Sequence, residues 1–308
     1  MNQVSLDRLL QRLERLHPKF IDLTLERLLR LLIKLDNPHL KLPQVIHIAG
    51  TNGKGSTLSF IKQILIEHNY KVHCYISPHL ESIEERFVIS NRNITKRKLY
   101  KAIKYVELIN NNEPITFFEI TTAAAFLAFS QNAADLTLVE TGLGGRLDAT
   151  NLIERPEVSV LTPISIDHEH YLGRGVKHIA KEKAGILKKG RPAVLARQTP
   201  LGSQVIERIA SRKGSPLWRY GCEWTVRHMS FGSIFESLSS RRILPVPSML
   251  GMYQRDNAAV AVATLDLLLG QFPVSNHAIW HGLSSAIWPA RFQLLRLGPL
   301  TKFIGDNG

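Results

Sequence analysis

Val45-Ile46-His47-Ile48-Ala49-Gly50-Thr51-Asn52-Gly53-Lys54-Gly55-Ser56-Thr57 decides how the rest of the chain is read. A short β-branched run feeds a turn with three glycines, and an apolar-periodic helix, Leu58 to Glu67, follows. Strand, glycine turn and helix, in that order, form the setting of a phosphate-binding loop. Gly50, Gly53 and Gly55 lack a Cβ, so the main chain there is expected to take unusual φ and to approach an anion closely. N–H groups at the helix start then point at phosphate oxygens. Lys54 would carry a charge to the β- and γ-phosphates, and Ser56 or Thr57 a hydroxyl for Mg2+. The spacing departs from the common pattern, because the leading glycines are closer together and Gly55 separates Lys54 from Ser56. The whole cradle, Gly50, Thr51, Asn52, Gly53, Lys54, Gly55, Ser56 and Thr57, is assigned to a nucleotide.

Outward from that loop, leucines at helical spacing predict amphipathic helices over Val4 to Leu16 and Thr24 to Leu35. Lys71 to Ile76 reads as a strand that breaks at Ser77-Pro78, and Glu84 to Thr95 as a surface loop. Helices are expected at Lys96 to Leu108 and at the alanine-rich Phe117 to Ser130. Strands follow at Asp135 to Val139 and Val158 to Leu161, then helix Lys177 to Leu187, strand Ala193 to Ala196 and helix Gln204 to Ser211. Such alternation implies an α/β fold, a mostly parallel sheet flanked by helices. Trp218 to Pro247 shifts to short strands and turns, a small antiparallel extension, before helices at Met252 to Leu269 and Ser275 to Ser285.

A chain of 308 residues, 44% hydrophobic and 21% charged, is long enough for a sizeable core and has the balance of a globular protein. Its net charge of +13 favours anionic partners. The densest basic run, Arg92, Lys96, Arg97, Lys98, Lys101 and Lys104, reads as a solvated helix face. No aromatic-interleaved basic motif accompanies it, so no nucleic acid is expected as partner. Cys74 and Cys222 are too few for a disulfide framework or a cysteine metal site, and a reducing cytoplasm fits them. No stretch has the length of a membrane span, and the N-terminal segment is too interrupted by charge for a signal peptide.

In open α/β sheets ligands sit beyond the carboxyl ends of the strands. The phosphate loop, Ser77, Glu140 and Asp167-His168 all fall at such ends. Glu140 follows Leu136-Thr137-Leu138-Val139, where a nucleotide enzyme places a carboxylate for Mg2+ or its water; an acid capping a turn is the alternative. Asp167-His168-Glu169-His170 has the composition of a zinc site, but two histidines so close on an extended chain diverge, and a single histidine near a nucleotide-bound cation ranks higher. Lys181, Lys183, Lys188 and Lys189 read on spacing alone as a solvated basic face.

Taken together these residues resemble the folylpolyglutamate synthase and bifunctional dihydrofolate synthase family, within the Mur ligase superfamily. The resemblance rests on His47 through Thr57, Ser77-Pro78-His79-Leu80 with Glu85-Arg86-Phe87-Val88-Ile89, Thr116-Phe117-Phe118-Glu119, Glu140 through Asn151, Asp167 through Gly173, Lys181 through Ile186, Asn257-Ala258-Ala259, and Pro289-Ala290-Arg291-Phe292-Gln293. It implies an ATP-dependent amide ligase that joins L-glutamate to dihydropteroate or a folate through an acyl phosphate. By the same resemblance Lys54 and its neighbouring amides hold phosphates. Ser77, Glu140 and His168 ligate Mg2+, and Lys183 is the lysine that the family carbamylates. Asn257 meets the adenine and Arg291 the phosphates. Ser77, Pro78, His79, Arg86, Phe117 and Phe118 line the folate side, where aromatic walls suit a flat heterocycle. The expected protein is a cytoplasmic monomer.

The resemblance divides the chain into residues 1–288, the ATP- and folate-binding unit, and 289–308, a linker with the first residues of a glutamate-ligase domain. Family members continue well past the position of Arg291, whereas this sequence stops at Gly308. Nucleotide and folate binding are therefore expected to survive better than ligation, and a non-catalytic nucleotide-binding remnant is the competing reading. A peptidoglycan-precursor Mur ligase is disfavoured, because its UDP-sugar domain precedes the phosphate loop and the loop here opens at residue 50.

Overall fold

The computed structural model describes residues 3–17 and 21–289. Helices α1 (Gln3–Leu13) and α2 (Glu26–Lys34) lead into strand β1 (Gln44–Ala49). Next come α3 (Lys54–Glu67), β2 (Val72–Tyr75), β3 (Phe87–Ile89), β4 (Arg92–Asn93), α4 (Lys96–Asn110), α5 (Phe117–Ser130), β5 (Leu136–Glu140) and β6 (Val158–Leu161). The short α6 (Glu169–Leu172) precedes α7 (Val176–Lys183), β7 (Ala193–Leu195), α8 (Pro200–Lys213) and β8 (Leu217–Arg219). Strands β9 (Trp224–Met229), β10 (Gly232–Ser237) and β11 (Arg241–Leu244) and helices α9 (Met252–Leu267) and α10 (Asn276–Ser285) complete the order.

Eight strands form one sheet in the order β4-β3-β2-β5-β1-β6-β7-β8, parallel from β2 to β8. Central β1 pairs with β5 on one side and β6 on the other, so the chain reverses direction across the sheet at the strand that feeds the glycine loop. The period of two along β1 sends Ile46 and Ile48 into a core shared with α3, α9 and α10. Val45 turns to the opposite core, built with α1, α2, α4 and α5. A third cluster under α7 and α8 closes the β6–β7 end.

Two expectations need correcting. Glu84 to Thr95 is not a surface loop: Ile83–Arg86 is a 3-10 turn, and β3 and β4 form a hairpin antiparallel to β2. Ser90 and Asn91 both take left-handed φ (46° and 72°), as a two-residue type I′ turn requires, and Phe87 and Val88 are buried beneath it. The turn carries Ser-Asn in place of the usual Asn-Gly, which hid the hairpin. The antiparallel extension starts later than expected, because β8 with Trp218 lies parallel to β7 at the edge of the main sheet, and only β9, β10 and β11 form a separate antiparallel sheet.

Candidate active site

The glycine loop is shorter than the sequence suggested, since α3 opens at Lys54 instead of Leu58. Gly53 caps it in left-handed conformation (φ 81°), and no side chain caps the helix. Its first N–H groups are thus left for a ligand. Gly53 and Gly50 both take positive φ (81° and 158°), and Gly55 does not. Gly55 is an ordinary helical residue whose missing Cβ admits the Trp288 ring, and Gly50 gives way to the Thr162 side chain. The loop is also gripped from β6: Thr51 and Asn52 N–H groups donate to the Pro163 carbonyl at 3.0 and 3.1 Å, and Thr51 Oγ1 donates to the Ser165 carbonyl.

Around it the strand ends converge. Lys54 Nζ lies 3.9 Å from Glu140 Oε1, and the Ser77 N–H donates to Glu140 Oε2 at 3.4 Å. Glu140 is buried (4% exposed) although it ends a strand. Lys183 Nζ donates to the Gly50 carbonyl at 2.8 Å. Burial first, and Lys54 second, lower the Lys183 pKa to about 8. Spacing had placed Lys183 and Lys188 on a solvated face; Lys183 is instead buried, and Lys188 donates to the Asn151 carbonyl while burial lowers it likewise. Lys181 and Lys189 are exposed as expected. Packing explains Lys183: Gly145 meets the Glu182 and Lys183 carbonyls, Gly185 meets the Arg146 backbone, and the Arg146 N–H donates to the Glu182 carbonyl at 2.7 Å. The loop after β5 thus clamps the end of α7 against the phosphate loop.

Asn257, 4% exposed in α9, rests directly on Gly53. His168 is half-exposed at a left-handed position before α6, and the described contact of its ring is with Asp167 at 3.5 Å. Arg291 lies outside the described residues, as does nearly all of the 289–308 segment.

Ser77 also borders a cavity of about 590 Å³. Every residue expected on the folate side lines it: Ser77, Pro78, His79, Arg86, Phe117 and Phe118. Thr116 caps α5 and, with Glu119, makes a capping box that aims the two phenylalanines outward. Phe118 stacks on Tyr75 (centroids 6.0 Å apart), and the Arg86 guanidinium lies 5.8 Å over the Phe117 ring while donating to His79 Nδ1. Burial lowers both the Arg86 and His79 pKa values. Sequence reasoning missed the lid and floor: Leu6 and Leu10 of α1, and Leu147, Asp148 and Ala149. Asp148 is buried, accepting from Leu143 and Thr150 N–H groups, and desolvation raises its pKa. Leu147, Asp148 and Ala149 stood within the Glu140–Asn151 stretch that carries the resemblance, without a role assigned to them.

The donors present suit a nucleotide with a divalent cation. Glu140 supplies a hard carboxylate oxygen beside Ser77. Thr57 Oγ1 is fully buried and has no partner among the described residues, and Ser56 is buried beside it. Unsatisfied hydroxyls of this kind are costly unless something else binds them.

Comparison with known proteins fits this geometry. Residues 48–277 match the Mur ligase middle domain. The dihydrofolate synthase/folylpolyglutamate synthase of Escherichia coli is 36% identical over 94% of this chain and 67% of its own length. The Bacillus subtilis enzyme of the same name is 35% identical, covering 89% and 67%. The chain belongs to this family. Folylpolyglutamate synthase/dihydrofolate synthase members are ATP-dependent ligases, and this chain spans about two thirds of the length of those relatives. Among solved family structures, E. coli FolC in complex with DHPP and ADP superposes with a TM-score of 0.87 at 36% identity, covering 94% of this chain and 68% of that one. A bifunctional family enzyme with Mn, AMPPNP and L-glutamate bound gives 0.83 at 33% identity, with the same coverage.

Proposed function

We propose that this chain binds ATP with Mg2+ at Gly50–Thr57 and dihydropteroate or a folate in the neighbouring cavity, for ligation of L-glutamate to the folate carboxyl. The cluster Ser77–Glu140–Lys54 supports the reading, because Ser77 lines the cavity and bonds Glu140, while Lys54 of the phosphate loop faces the same carboxylate. A carboxylate is a poor electrophile. Transfer of the γ-phosphoryl from ATP to its oxygen makes an acyl phosphate, and attack by the glutamate amine then expels phosphate, with loss of a proton from nitrogen.

In this assignment Phe117 and Phe118 stack the pterin-like ring, and Arg86, for which no acidic partner is described, orients it with His79 and Pro78. Lys54 and the first N–H groups of α3 hold the transferring phosphoryl. Ser77, Glu140 and His168 would hold Mg2+, which supplies charge neutralisation between ATP and the attacking carboxylate. Lys183, with its pKa lowered to about 8, keeps enough neutral amine to add carbon dioxide and lose a proton, which turns the position into a carboxylate. Asn257 and Arg291 complete the nucleotide site. The chain is proposed to act as a monomer in the cytoplasm.

The test is binding by calorimetry. AMPPNP with Mg2+ and dihydropteroate should each bind, the first weakened by about 100-fold in Lys54→Ala, since a charge-assisted contact to phosphate is lost. Phe118→Ala should weaken only the pteroate. An unchanged AMPPNP affinity in Lys54→Ala would put the nucleotide elsewhere, and a single sedimentation species at monomer mass checks the oligomeric state.

A further inference from the structure

Asn257 bears on the phosphate loop at its tightest point. A Cβ on Gly53 would overlap Asn257 Oδ1 and stand 2.9 Å from its Cγ, so the left-handed glycine and the asparagine are fitted to each other. The orientation of that amide has a cause in the same helix. Asn257 Nδ2 donates to Gln254 Oε1 at 3.0 Å, one turn earlier in α9, which leaves Oδ1 as the atom facing the loop. Gln254 is completely buried, and its Nε2 is a donor with no partner among the described residues. A buried donor without a partner costs stability, and an apolar side chain at 254 would exchange that orphan for another, because Asn257 Nδ2 would lose its acceptor. What Gln254 does make is the hydrogen bond that orients Asn257, the residue resting on Gly53.

The two residues between them are tied down separately. Arg255 Nη1 donates to the Met229 carbonyl at 2.6 Å, and Asp256 Oδ1 lies 3.0 Å from His228 Nε2. The β9–β10 hairpin therefore fixes the first turn of α9 from outside, while Gln254 fixes Asn257 from within.

We infer that Gln254 is a positioning residue for nucleotide binding, holding the Asn257 amide so that its oxygen faces Gly53 and the loop stays in its binding shape. It acts through Asn257 and touches no substrate in this role. The inference rests on the proposed reading of Asn257 as part of the nucleotide site.

A double-mutant cycle separates the two. AMPPNP affinity with Mg2+ is measured for the unmodified chain, Gln254→Met, Asn257→Ala and the double variant, with dihydropteroate affinity as the check on fold. Gln254→Met should weaken AMPPNP by roughly three- to tenfold, the value of one buried hydrogen bond. In the Asn257→Ala background the same change should cost less than about twofold, because the partner is already gone. Unchanged affinity in Gln254→Met, or a full additional loss in the double variant, overturns the inference. Wild-type affinity in Asn257→Ala would instead overturn the nucleotide reading of that residue, and the inference with it. Should Gln254→Met fail to fold, the Asn257 side-chain NH2 resonances of the unmodified chain decide: protection from solvent exchange is expected, and rapid exchange overturns the contact.

Discussion

Lys183 Nζ donates to the Gly50 carbonyl across 2.8 Å, joining the last residue of α7 to the first glycine of the phosphate loop. Helix α7 and the loop are far apart in sequence, and the bond depends on the Gly144-Gly145 turn admitting the end of the helix. A lysine so placed has its pKa lowered to about 8 by burial and by the charge of Lys54.

That relationship predicts a pH dependence. An unfolded lysine keeps its proton up to its ordinary value of 10.5, whereas folded Lys183 sheds it near 8. Between those values the unfolded chain binds more protons, so this residue makes the fold more stable as pH rises. Chemical denaturation at pH 7.5 and 10 in carbon dioxide-free buffer, compared between the unmodified chain and Lys183→Met, should show an excess gain of up to about 3 kcal/mol in the former. Parallel pH profiles would place the shift elsewhere.

Removing the carboxylate at the meeting point should uncouple nucleotide from metal. In Glu140→Gln the Mg2+ enhancement of AMPPNP affinity is expected to shrink by about tenfold or more, because a hard anionic oxygen is replaced by a neutral amide. Lys54 then also lacks the carboxylate it faces at 3.9 Å, so affinity without Mg2+ should hold or rise. Titrations with and without EDTA read both arms.

Gly142→Ala tests the cavity wall. Its new Cβ would come 2.5 Å from Phe118 Cζ, and the ring must tilt away from its stack on Tyr75. Dihydropteroate affinity should fall by roughly three- to tenfold, in line with the worth of an aromatic contact, with AMPPNP affinity held. Equal affinity for both ligands would mean that this wall does not shape the pteroate site.

The support of the phosphate-loop helix can be probed at Gly282 in α10. A Cβ there would lie 2.6 Å from Ile64 Cα in α3, a collision with backbone that cannot be relieved by a rotamer change. Gly282→Ala should destabilise the fold by about 1–3 kcal/mol. A lower urea midpoint at unchanged slope is the expected result, and an unchanged midpoint would show that the two helices separate freely.

Much of this molecule was legible from local pattern. Alternating strands and helices announced the parallel sheet, the alanine-rich run from Phe117 to Ser130 announced α5, and Gly50 through Thr57 announced a glycine turn between strand and helix, because each depends on periodicity or on backbone chemistry within a few residues. The Ser90-Asn91 hairpin escaped, since its turn uses permissible residues that are not diagnostic ones. Local pattern missed Lys183 too, which only the family resemblance named, and for a deeper reason. Nothing local separates it from Lys181, which is exposed on the same helix. Burial, the carbonyl of Gly50 and the charge of Lys54 give Lys183 its chemistry, and these arrive only when the sheet brings four strand ends to one edge. Likewise Gln254 and Asn257 are ordinary helical amides until α9 lays Asn257 on Gly53 with Gln254 behind it. The type of element is written in residues that are neighbours along the chain. The protonation state and aim of each functional group come from residues that are neighbours only in space.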